Sequence, residues 1–407
     1  MSAVAAAPSL ADPAVLRDPY PTLNWLRDND PVHYAAGVRA WVVSRYADVA
    51  ALFRDPRLSA NRIPAMAQQM LGGGDTAPIK EYLRVTNDMM LMKDGDDHHL
   101  LRVLGNRGFT PSALAAWAPR VNRVIDGLLD EVEGERFDLV ADLAEPMPAT
   151  VIADMFGIPQ ADHGKFRNWA DDAARFFGGT VRDPLADGML ANTSAIELGN
   201  YFRALHAERK AEPGDDLMSL FLAAEEAGRL TVEEVVNQCQ LILIAGHVTT
   251  IDQLSNGIHT VLRQPGLWQR LARQPELVRA TVEETIRFDS AVTLIMRVAT
   301  QDVELHGRTI HAGQLVFLAL AAANRDPSVF DRPDEFDIDR PNNKHLGFGA
   351  GPHLCLGMRL AQMELDAAFQ ALLKRYPKLR LDPDRPAVRK CESLIFRGFS
   401  SLPLWAD

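Results

Sequence analysis

A glycine-rich segment near the C-terminal end of the chain contains a single cysteine. It reads Phe-Gly-Ala-Gly-Pro-His-Leu-Cys-Leu-Gly and runs from Phe348 to Gly357, with Cys355 as its only sulfur. Glycines allow backbone N–H groups to approach a sulfur atom closely, and these donors lower the basicity of a thiolate. The amphipathic run over residues 358–375 predicts a helix whose N-terminal dipole also favours the anion. The pattern is typical of one thiolate that binds one metal ion.

This segment resembles the cysteine loop of the cytochrome P450 family, the haem-thiolate monooxygenases. Six of its residues match the family pattern: Phe348, Gly349, Gly351, His353, Cys355 and Gly357. The resemblance implies that Cys355 is the axial ligand of the iron of haem b. It also implies contact with the cofactor for Phe348, Gly349, His353 and Gly357. The alternative is a strand–turn–helix with an inert core cysteine, which would not require so many matches.

The composition describes a globular protein without a disulfide framework. The chain has 407 residues, of which 47% are hydrophobic and 24% charged. A net charge of −11 argues against nucleic acid as a partner. Three cysteines fit a reducing compartment, and we expect Cys239 and Cys391 to be ordinary packed or surface thiols. No stretch approaches the ~18 apolar residues that span a bilayer, so we expect a cytoplasmic monomer that does not bind membranes.

Helical periodicity dominates the sequence and predicts a mainly α fold with a minor β-sheet region. This pattern agrees with the cytochrome P450 fold, in one domain over residues 1–407. The predicted helices cover residues 46–54, 100–107, 119–132, 146–156, 161–177, 191–211, 231–262, 275–288 and 358–375. The predicted strands cover residues 32–34, 40–44, 303–305 and 316–320. Residues 60–92, with three glycines at 72–74, predict a long mobile loop, and residues 326–341 predict an irregular segment.

Glu284 and Arg287 lie three residues apart on a predicted helix and can therefore pair. Taken alone, the spacing favours a surface salt bridge of ~0–1 kcal/mol. The resemblance implies instead a buried pair beneath the haem, joined by Arg340 from the segment before the cysteine loop. A buried planar guanidinium network of this kind locks irregular backbone in place.

Two histidines and two arginines match the family residues that bind the haem carboxylates. His98 and Arg102 lie four residues apart, on one helical face. The resemblance adds Arg297 and His353 to this set. Together they predict four cations around two propionate groups. Gly95 and Asp96 stand where the family usually has prolines, so the start of this helix departs from the pattern.

The stretch from Leu241 to Thr250 resembles the oxygen-activating helix of the family. Leu241, Ala245 and Thr249 follow each other at a spacing of four and therefore share a face. Ala245 and Gly246 are small enough for a flat ligand to approach, and the Thr249 hydroxyl can bond back to the carbonyl of Ala245. The resemblance implies a local kink that holds O₂ and water, with Thr249 as the catalytic residue.

The residue before this threonine departs from the family pattern. An aspartate or glutamate normally stands there and helps to relay protons, but this chain has Val248, which cannot carry a proton. His247 is no obvious substitute, because it lies about 200° around the helix from Ala245 and Thr249. We therefore expect either slow proton delivery assisted by the substrate or chemistry that uses an earlier oxygen intermediate.

The resemblance also assigns a set of residues to the substrate pocket. They are Leu241, Ile244, Ala245, Val248, Val292, Thr293, Leu294, Leu394 and Ile395. Because this lining is almost wholly apolar, we expect a mainly apolar or aromatic small molecule.

The resulting prediction is a haem-thiolate monooxygenase that oxidises such a molecule, with hydroxylation as the expected reaction. No flavin or nicotinamide domain is evident, so electrons should come from a separate ferredoxin or flavodoxin-like donor with its reductase. Arg107 and Arg359 are candidates for meeting an acidic donor, although solvated charges explain them equally well. Two alternatives stay open: the same fold performing coupling, nitration or peroxide-driven oxidation, which Val248 favours, and a haem sensor or carrier without turnover.

Overall fold

Helices make up most of the protein, as predicted. The computed structural model describes residues 9–226, 228 and 230–406. Its α-helices are α1 (Pro13–Arg17), α2 (Tyr20–Asn29), α3 (Tyr46–Leu52), α4 (Ile63–Met70), α5 (Lys80–Asp88), α6 (Gly95–Gly105), α7 (Pro111–Asp130), α8 (Pro146–Met155), α9 (His163–Phe177), α10 (Pro184–Ala211), α11 (Leu217–Glu226), α12 (Val232–Leu262), α13 (Leu267–Arg273), α14 (Val278–Phe288), α15 (Leu320–Ala323) and α16 (Met358–Arg375). Within the described ranges, none of these helices is long and apolar enough to cross a bilayer.

Short strands form small sheets beside the helices. They are β1 (Val32–Ala35), β2 (Ala40–Val43), β3 (Leu58–Ser59), β4 (Arg136–Asp138), β5 (Ile295–Ala299), β6 (Val303–Leu305), β7 (Arg308–Ile310), β8 (Leu315–Leu318), β9 (Arg380–Leu381), β10 (Val388–Arg389), β11 (Phe399–Ser401) and β12 (Pro403–Trp405). The largest sheet has the order β1-β2-β8-β5-β3, with β2 and β8 parallel. In it, the antiparallel pairing of β3 with β5 sets Ser59 opposite Val298. This register brings the chain around residue 60 next to the chain around residue 297.

The long helix α12 lies in the centre of the helical region. Its start is fixed locally, because the Thr231 side chain accepts from the Glu234 backbone while the Glu234 carboxylate accepts from the Thr231 backbone. The helix is buried along most of its length and contacts α8, α9, α10, α14 and α16. A helix surrounded in this way provides a fixed support for side chains at its middle.

The prediction of a mobile loop over residues 60–92 is wrong. The segment contains α4 and α5, and only the turn around Gly72 and Gly73 has left-handed backbone. Ile63, Met66 and Tyr82 are almost fully buried, and the Tyr82 ring packs edge-on against Phe176 at 5.3 Å. Tertiary packing of these apolar faces outweighs the weak helical signal of a glycine- and proline-containing sequence.

Several helices begin earlier than their sequence patterns predict. Helix α10 begins at Pro184, where the Asp183 carboxylate accepts from the backbone N–H of Ala186. Helix α7 begins at Pro111 with Thr110 as its cap and continues through Pro119. In both helices, a proline in the first turn costs no hydrogen bond, so a cap residue followed by proline marks the start.

The segment between α15 and α16 has little regular structure, in agreement with the prediction for residues 326–341. A single 3₁₀ turn, Gly351–His353, interrupts it just before Cys355. Irregular backbone must satisfy its polar groups through side chains, and those side chains belong to the site described next.

Candidate functional site

Cys355 is exposed, although it precedes a helix that is packed into the protein. The surrounding protein nevertheless desolvates its thiol group. The loop is closed by a hydrogen bond of 3.0 Å from the Cys355 N–H to the carbonyl of Phe348. Gly351 has φ +70°, and a Cβ there would lie 2.8 Å from the carbonyl oxygen of Phe53. Only glycine therefore fits this position, and the folded loop leaves the cysteine exposed.

The surroundings of the sulfur act in opposite directions on its protonation. Burial raises the pKa of Cys355, while the backbone N–H groups of Gly357 and Met358 and the charge of Arg102 act to lower it. The donors that the sequence predicts are thus present, but burial outweighs them. A metal ion would remove the proton, because a coordinating thiol is deprotonated outright.

One buried carboxylate holds the irregular segment before the cysteine. Glu284 and Arg287 pair with two contacts of 2.8 Å, and both side chains are fully buried. The same carboxylate accepts from the Asp337 N–H at 2.9 Å, from Arg340 Nε at 3.3 Å and from Asn343 Nδ2 at 3.1 Å. The structure therefore places Glu284, Arg287 and Arg340 in one network, and the pair is not a surface salt bridge.

The guanidinium of Arg287 extends this network to the backbone. It donates to the carbonyl groups of Asn324 at 2.9 Å, Pro333 at 2.8 Å and Glu335 at 3.0 Å. A planar donor set that reaches three carbonyl groups and a carboxylate fixes the course of an otherwise irregular chain.

His98 and His353 come together from distant parts of the sequence. Their ring centroids lie 4.0 Å apart, and His98 Nε2 is buried without a hydrogen-bond partner among the described residues. Arg102, one turn after His98 on α6, donates from Nη1 to the carbonyl of Leu354 beside the cysteine. His353 Nε2 lies 3.8 Å from the Asp94 carboxylate. The structure therefore brings the predicted residues His98 and Arg102 against the cysteine loop, which itself carries His353.

Burial in this structure disfavours the charged forms of the two histidines that were predicted as cations. Burial, together with His353 and Arg102, lowers the pKa of His98 to about 4. Burial also lowers the pKa of His353, although Asp94 opposes this shift. Desolvation and neighbouring positive charge therefore favour the neutral rings, whereas a carboxylate bound beside them would favour the charged forms. The permanent positive charge of this region comes from arginines.

Two of these arginines are almost fully enclosed. Arg297, which the sequence predicts as a site residue, is 3% exposed and lies on β5. Arg62, which the sequence does not single out, is also 3% exposed and stands just before α4. Arg62 was missed because it belongs to the segment predicted as a loop. A lone arginine in such a segment gives no signal of burial.

The middle of α12 presents Thr249 and Ala245 to internal space. Ala245 is exposed and Thr249 half-buried, although the residues on either side of this stretch are buried. The Thr249 hydroxyl donates to the carbonyl of Ala245 at 3.0 Å. A Cβ on Gly246 would lie 3.1 Å from Ile152 of α8. The small size of Gly246 therefore also permits close contact between the two helices.

His247 points away from this face, as the helical spacing predicts. Its side chain is fully buried, and its Nε2 lies 3.2 Å from the Asp171 carboxylate on α9. Val248 is also buried and carries no ionisable group. Neither residue offers a proton at the position where Thr249 meets open space.

Glu364 is an acid in this region that the sequence interpretation missed. It lies on α16 with 1% of its surface exposed, beside the hydroxyl of Thr250. Burial raises the pKa of Glu364 to about 8, so its carboxyl group is protonated at pH 7. The available signal was a glutamate on the apolar face of an amphipathic helix.

The structure brings the two distal pocket segments side by side. Val292 pairs with Phe396, and the Thr293 N–H donates to the carbonyl of Ile395 at 2.9 Å. The Thr293 hydroxyl also donates to this carbonyl, so towards a ligand it could act only as an acceptor. Among the remaining predicted residues, Leu241, Val248, Leu294 and Ile395 are buried, whereas Ile244, Val292 and Leu394 are half-buried.

Comparison with known proteins identifies the family. The family model for cytochrome P450 matches residues 197–396. The biotin biosynthesis cytochrome P450 of Bacillus subtilis is 35% identical over 379 residues, which cover 92% of this chain and 93% of that protein. The nocardicin C N-oxygenase of Nocardia uniformis is 37% identical over 403 residues, covering 97% of this chain and 96% of the relative.

Solved structures agree with these relatives. The crystal structure of CalO2 superposes with a TM-score of 0.89 at 34% identity and covers 98% of this chain and 99% of that one. P450BioI in complex with an acyl carrier protein ligated to hexadec-9Z-enoic acid gives a TM-score of 0.88 at 32% identity, covering 97% and 100%. With its cysteine loop, its buried Glu284–Arg287 pair and these matches over nearly its whole length, the chain belongs to the cytochrome P450 family and is a monooxygenase-type oxidoreductase.

Proposed function

We propose that the protein binds haem b through Cys355 and inserts oxygen into an apolar or aromatic small molecule, with hydroxylation as its reaction. The observation that carries the proposal is the position of Cys355, which is exposed and yet desolvated by the surrounding protein, just before α16. A structural cysteine would be packed against apolar side chains, as Cys239 is.

The residues around Cys355 fit a planar cofactor with carboxylate groups. His98 Nε2 is buried without a partner among the described residues, and a carboxylate would satisfy it. Arg102 and Arg297 supply charged donors, while Phe348, Gly349, His353 and Gly357 form the wall next to the sulfur. Bound haem would supply the reductive activation of O₂, and its thiolate ligand would favour O–O cleavage.

Thr249 and Ala245 would bind water and transfer protons on the side of the site formed by α12. The Thr249 hydroxyl is held by the Ala245 carbonyl, so its oxygen lone pairs remain able to accept from a water molecule. Because Val248 carries no acid, protons would reach this point only through water and the Thr249 hydroxyl. The Glu284–Arg287–Arg340 network would keep the cysteine loop in place and take no part in proton transfer.

The pocket residues support an apolar substrate. Val292 and Leu394 are half-buried and carry only aliphatic side chains, and the Thr293 hydroxyl donates to backbone carbonyl groups. Relatives with similar sequences carry names that refer to biotin biosynthesis, N-oxygenation and epoxidation. The class of oxidation therefore varies among similar proteins, and the apolar lining is the stronger guide for this chain.

Electrons would come from a separate ferredoxin or flavodoxin-like protein with its reductase, in the cytoplasm. Arg107 and Arg359 are both exposed, and Arg359 follows the cysteine loop on the first turn of α16. Positive charge close to the sulfur would attract an acidic donor.

A second candidate is atypical oxidation on the same site, and Val248 favours it. A site that delivers protons slowly would favour coupling, nitration or oxidation driven by added peroxide over hydroxylation. The two candidates differ in their oxidant requirement and in their products.

The test begins with the absorption spectrum of the reduced protein with carbon monoxide. A thiolate-type band would support haem ligation by Cys355, and its absence would overturn the proposal. Small apolar and aromatic compounds are then screened by the spin-state change of the haem, and binders are incubated with NADPH, ferredoxin and reductase. Hydroxylated product in step with NADPH consumption supports the first candidate, whereas product with peroxide alone supports the second.

A further inference from the structure

Arg62 is a buried cation that the proposed function does not use. Its Nη1 donates to the carbonyl of Ala60 at 3.0 Å and lies 3.3 Å from the sulfur of Met92. Its guanidinium group lies 5.3 Å from the centre of the Phe177 ring. It makes no ion pair with any carboxylate among residues 9–226, 228 and 230–406. Burying a charge without a partner is costly, so this arrangement calls for a counter-ion.

Arg297 is also a buried cation without a carboxylate partner among the described residues, and it lies near Arg62. The pairing of Ser59 with Val298 brings the two chain segments together. Arg297 Nη1 donates only to the carbonyl of Met296, at 3.0 Å, and no carboxylate in the described part of the chain pairs with it. Burial and the positive charge of Arg297 lower the pKa of Arg62 to about 9, because the two cations repel each other.

The nearest acid is already engaged. The Asp94 carboxylate accepts from the Ser59 hydroxyl and from the Ala60 N–H, and it lies 3.8 Å from His353. It favours the charged forms of both arginines from a distance, but it forms no direct pair with either. Asp94 therefore fixes the backbone before Arg62 and does not neutralise the two guanidinium groups.

The unused nitrogens of the two arginines have access to open space. In both residues, Nε and Nη2 make no hydrogen bond to a described residue. These four nitrogens are nevertheless not completely enclosed by protein atoms. An arginine that served only to tie Ala60 to Met92 would need no such free donors. Two guanidinium groups with free nitrogens match the oxygen pair of one carboxylate.

We propose that Arg62 and Arg297 together bind one carboxylate group inside the protein. The proposal rests on the proposed function, because that function brings two sources of a carboxylate: a propionate of the haem, or an acidic group on the substrate. The contact of Arg62 with Phe177, at the C-terminal end of α9, places the site beside the helix that ends at the Gly178 turn.

The first arm of the test measures how firmly the holoenzyme keeps its haem. Haem transfer to excess apomyoglobin is followed for wild type, Arg62→Gln and Arg62→Lys, with Arg57→Gln as the matched control. Arg57 lies in the same segment but pairs with Asp55 at the surface. If a propionate is the ligand, Arg62→Gln speeds haem loss about 10- to 100-fold, the value of a charge-assisted hydrogen bond. Arg62→Lys gives a smaller increase.

The second arm measures ligand preference in the haem-loaded proteins. Decanoic acid and methyl decanoate are titrated against the spin-state spectrum. If a substrate carboxylate is the ligand, wild type prefers the acid, Arg62→Gln loses this preference by about tenfold or more, and haem retention does not change. A shift in either arm supports the carboxylate site and identifies its source.

The site is refuted if Arg62→Gln matches both wild type and Arg57→Gln in haem retention and in the ratio of acid to ester binding. Should Arg62→Gln fail to fold, Arg62→Lys decides by the same two measurements. A wild-type protein without a thiolate-type carbon monoxide spectrum would refute the proposed function itself. A normal wild-type spectrum with no effect of Arg62 would refute only the carboxylate site.

Discussion

Glu284 and Arg287 form a two-pronged ion pair in which Nε meets Oε2 and Nη2 meets Oε1, each at 2.8 Å. Both side chains have no exposed surface. Because the same carboxylate also accepts hydrogen bonds from Arg340, Asp337 and Asn343, it joins α14 to the segment before the cysteine at several positions.

Replacement of Glu284 by alanine should destabilise the protein by about 3–5 kcal/mol, because it leaves a buried guanidinium without its partner. The expected result is a lower melting temperature and less haem per protein. Glu276→Ala, at an exposed position just before α14, is the matched control and should change neither value. Wild-type melting and full haem content for Glu284→Ala would contradict a structural role for the pair.

Replacement of Cys355 by serine should abolish the thiolate-type spectrum of the reduced carbon monoxide complex and all monooxygenase turnover. A serine oxygen cannot provide the same soft ligand. Cys391→Ser, at a half-buried position outside the loop, should keep both properties. Survival of the spectrum in Cys355→Ser would mean that another residue holds the iron.

Replacement of Thr249 by alanine should slow coupled turnover by about tenfold or more and release peroxide, because the hydroxyl group that transfers protons is lost. Thr249→Ser keeps a hydroxyl and should stay close to wild type. Product and peroxide are both measured per NADPH consumed. Equal coupling in the alanine and serine variants would show that protons arrive by another route.

Replacement of Val248 by aspartate tests the two candidate functions against each other. If the protein hydroxylates its substrate, the added acid should raise product per NADPH. If it diverts an early oxygen species, the added acid should suppress the native product and favour a hydroxylated one. Val248→Asn, which has a similar shape without the acid, is the control. An unchanged product distribution and coupling in Val248→Asp would remove Val248 as a determinant of the chemistry.

Glu364 should make the stability of the protein fall as the pH rises. Its folded pKa, about 8, lies above its ordinary value of 4.5, so between these pH values the unfolded chain has lost a proton that the folded chain keeps. The free energy of unfolding therefore decreases by up to about 1.4 kcal/mol per pH unit in this window. Glu364→Gln should flatten the dependence measured by urea unfolding, and Glu276→Gln should not. Parallel slopes for wild type and Glu364→Gln would show that this carboxyl is ionised in the folded protein.

Local signals predicted the elements that are fixed by local bonds. The Thr231–Glu234 capping box predicted the start of α12, and the periodic run after Gly357 predicted α16 from Met358 to Arg375. The helices between residues 60 and 92 were missed because their stability comes from burying Ile63, Met66 and Tyr82 against distant parts of the chain. Local propensity does not contain that information.

The site residues also separate into those that local sequence patterns predict and those that depend on distant parts of the chain. Spacing alone placed the Thr249 hydroxyl on the Ala245 carbonyl, since both belong to one helical turn. The resemblance, rather than any local pattern, brought His98 and His353 into one group. Arg62 and Glu364 could not be found, because their chemistry depends on burial by elements far away in the sequence.

The network around Glu284 has a consequence for how the protein is made. The carboxylate accepts hydrogen bonds from Asp337, Arg340 and Asn343, which lie 53, 56 and 59 positions later in the chain. During synthesis, α14 therefore leaves the ribosome well before the segment that it anchors, and the cysteine follows later still. A truncated product that ends before Asn343 would contain the anchor but neither the complete segment nor Cys355. If Cys355 binds the cofactor, its capture would wait until this whole segment has been synthesised, and shorter products would not withdraw cofactor from the cell's supply.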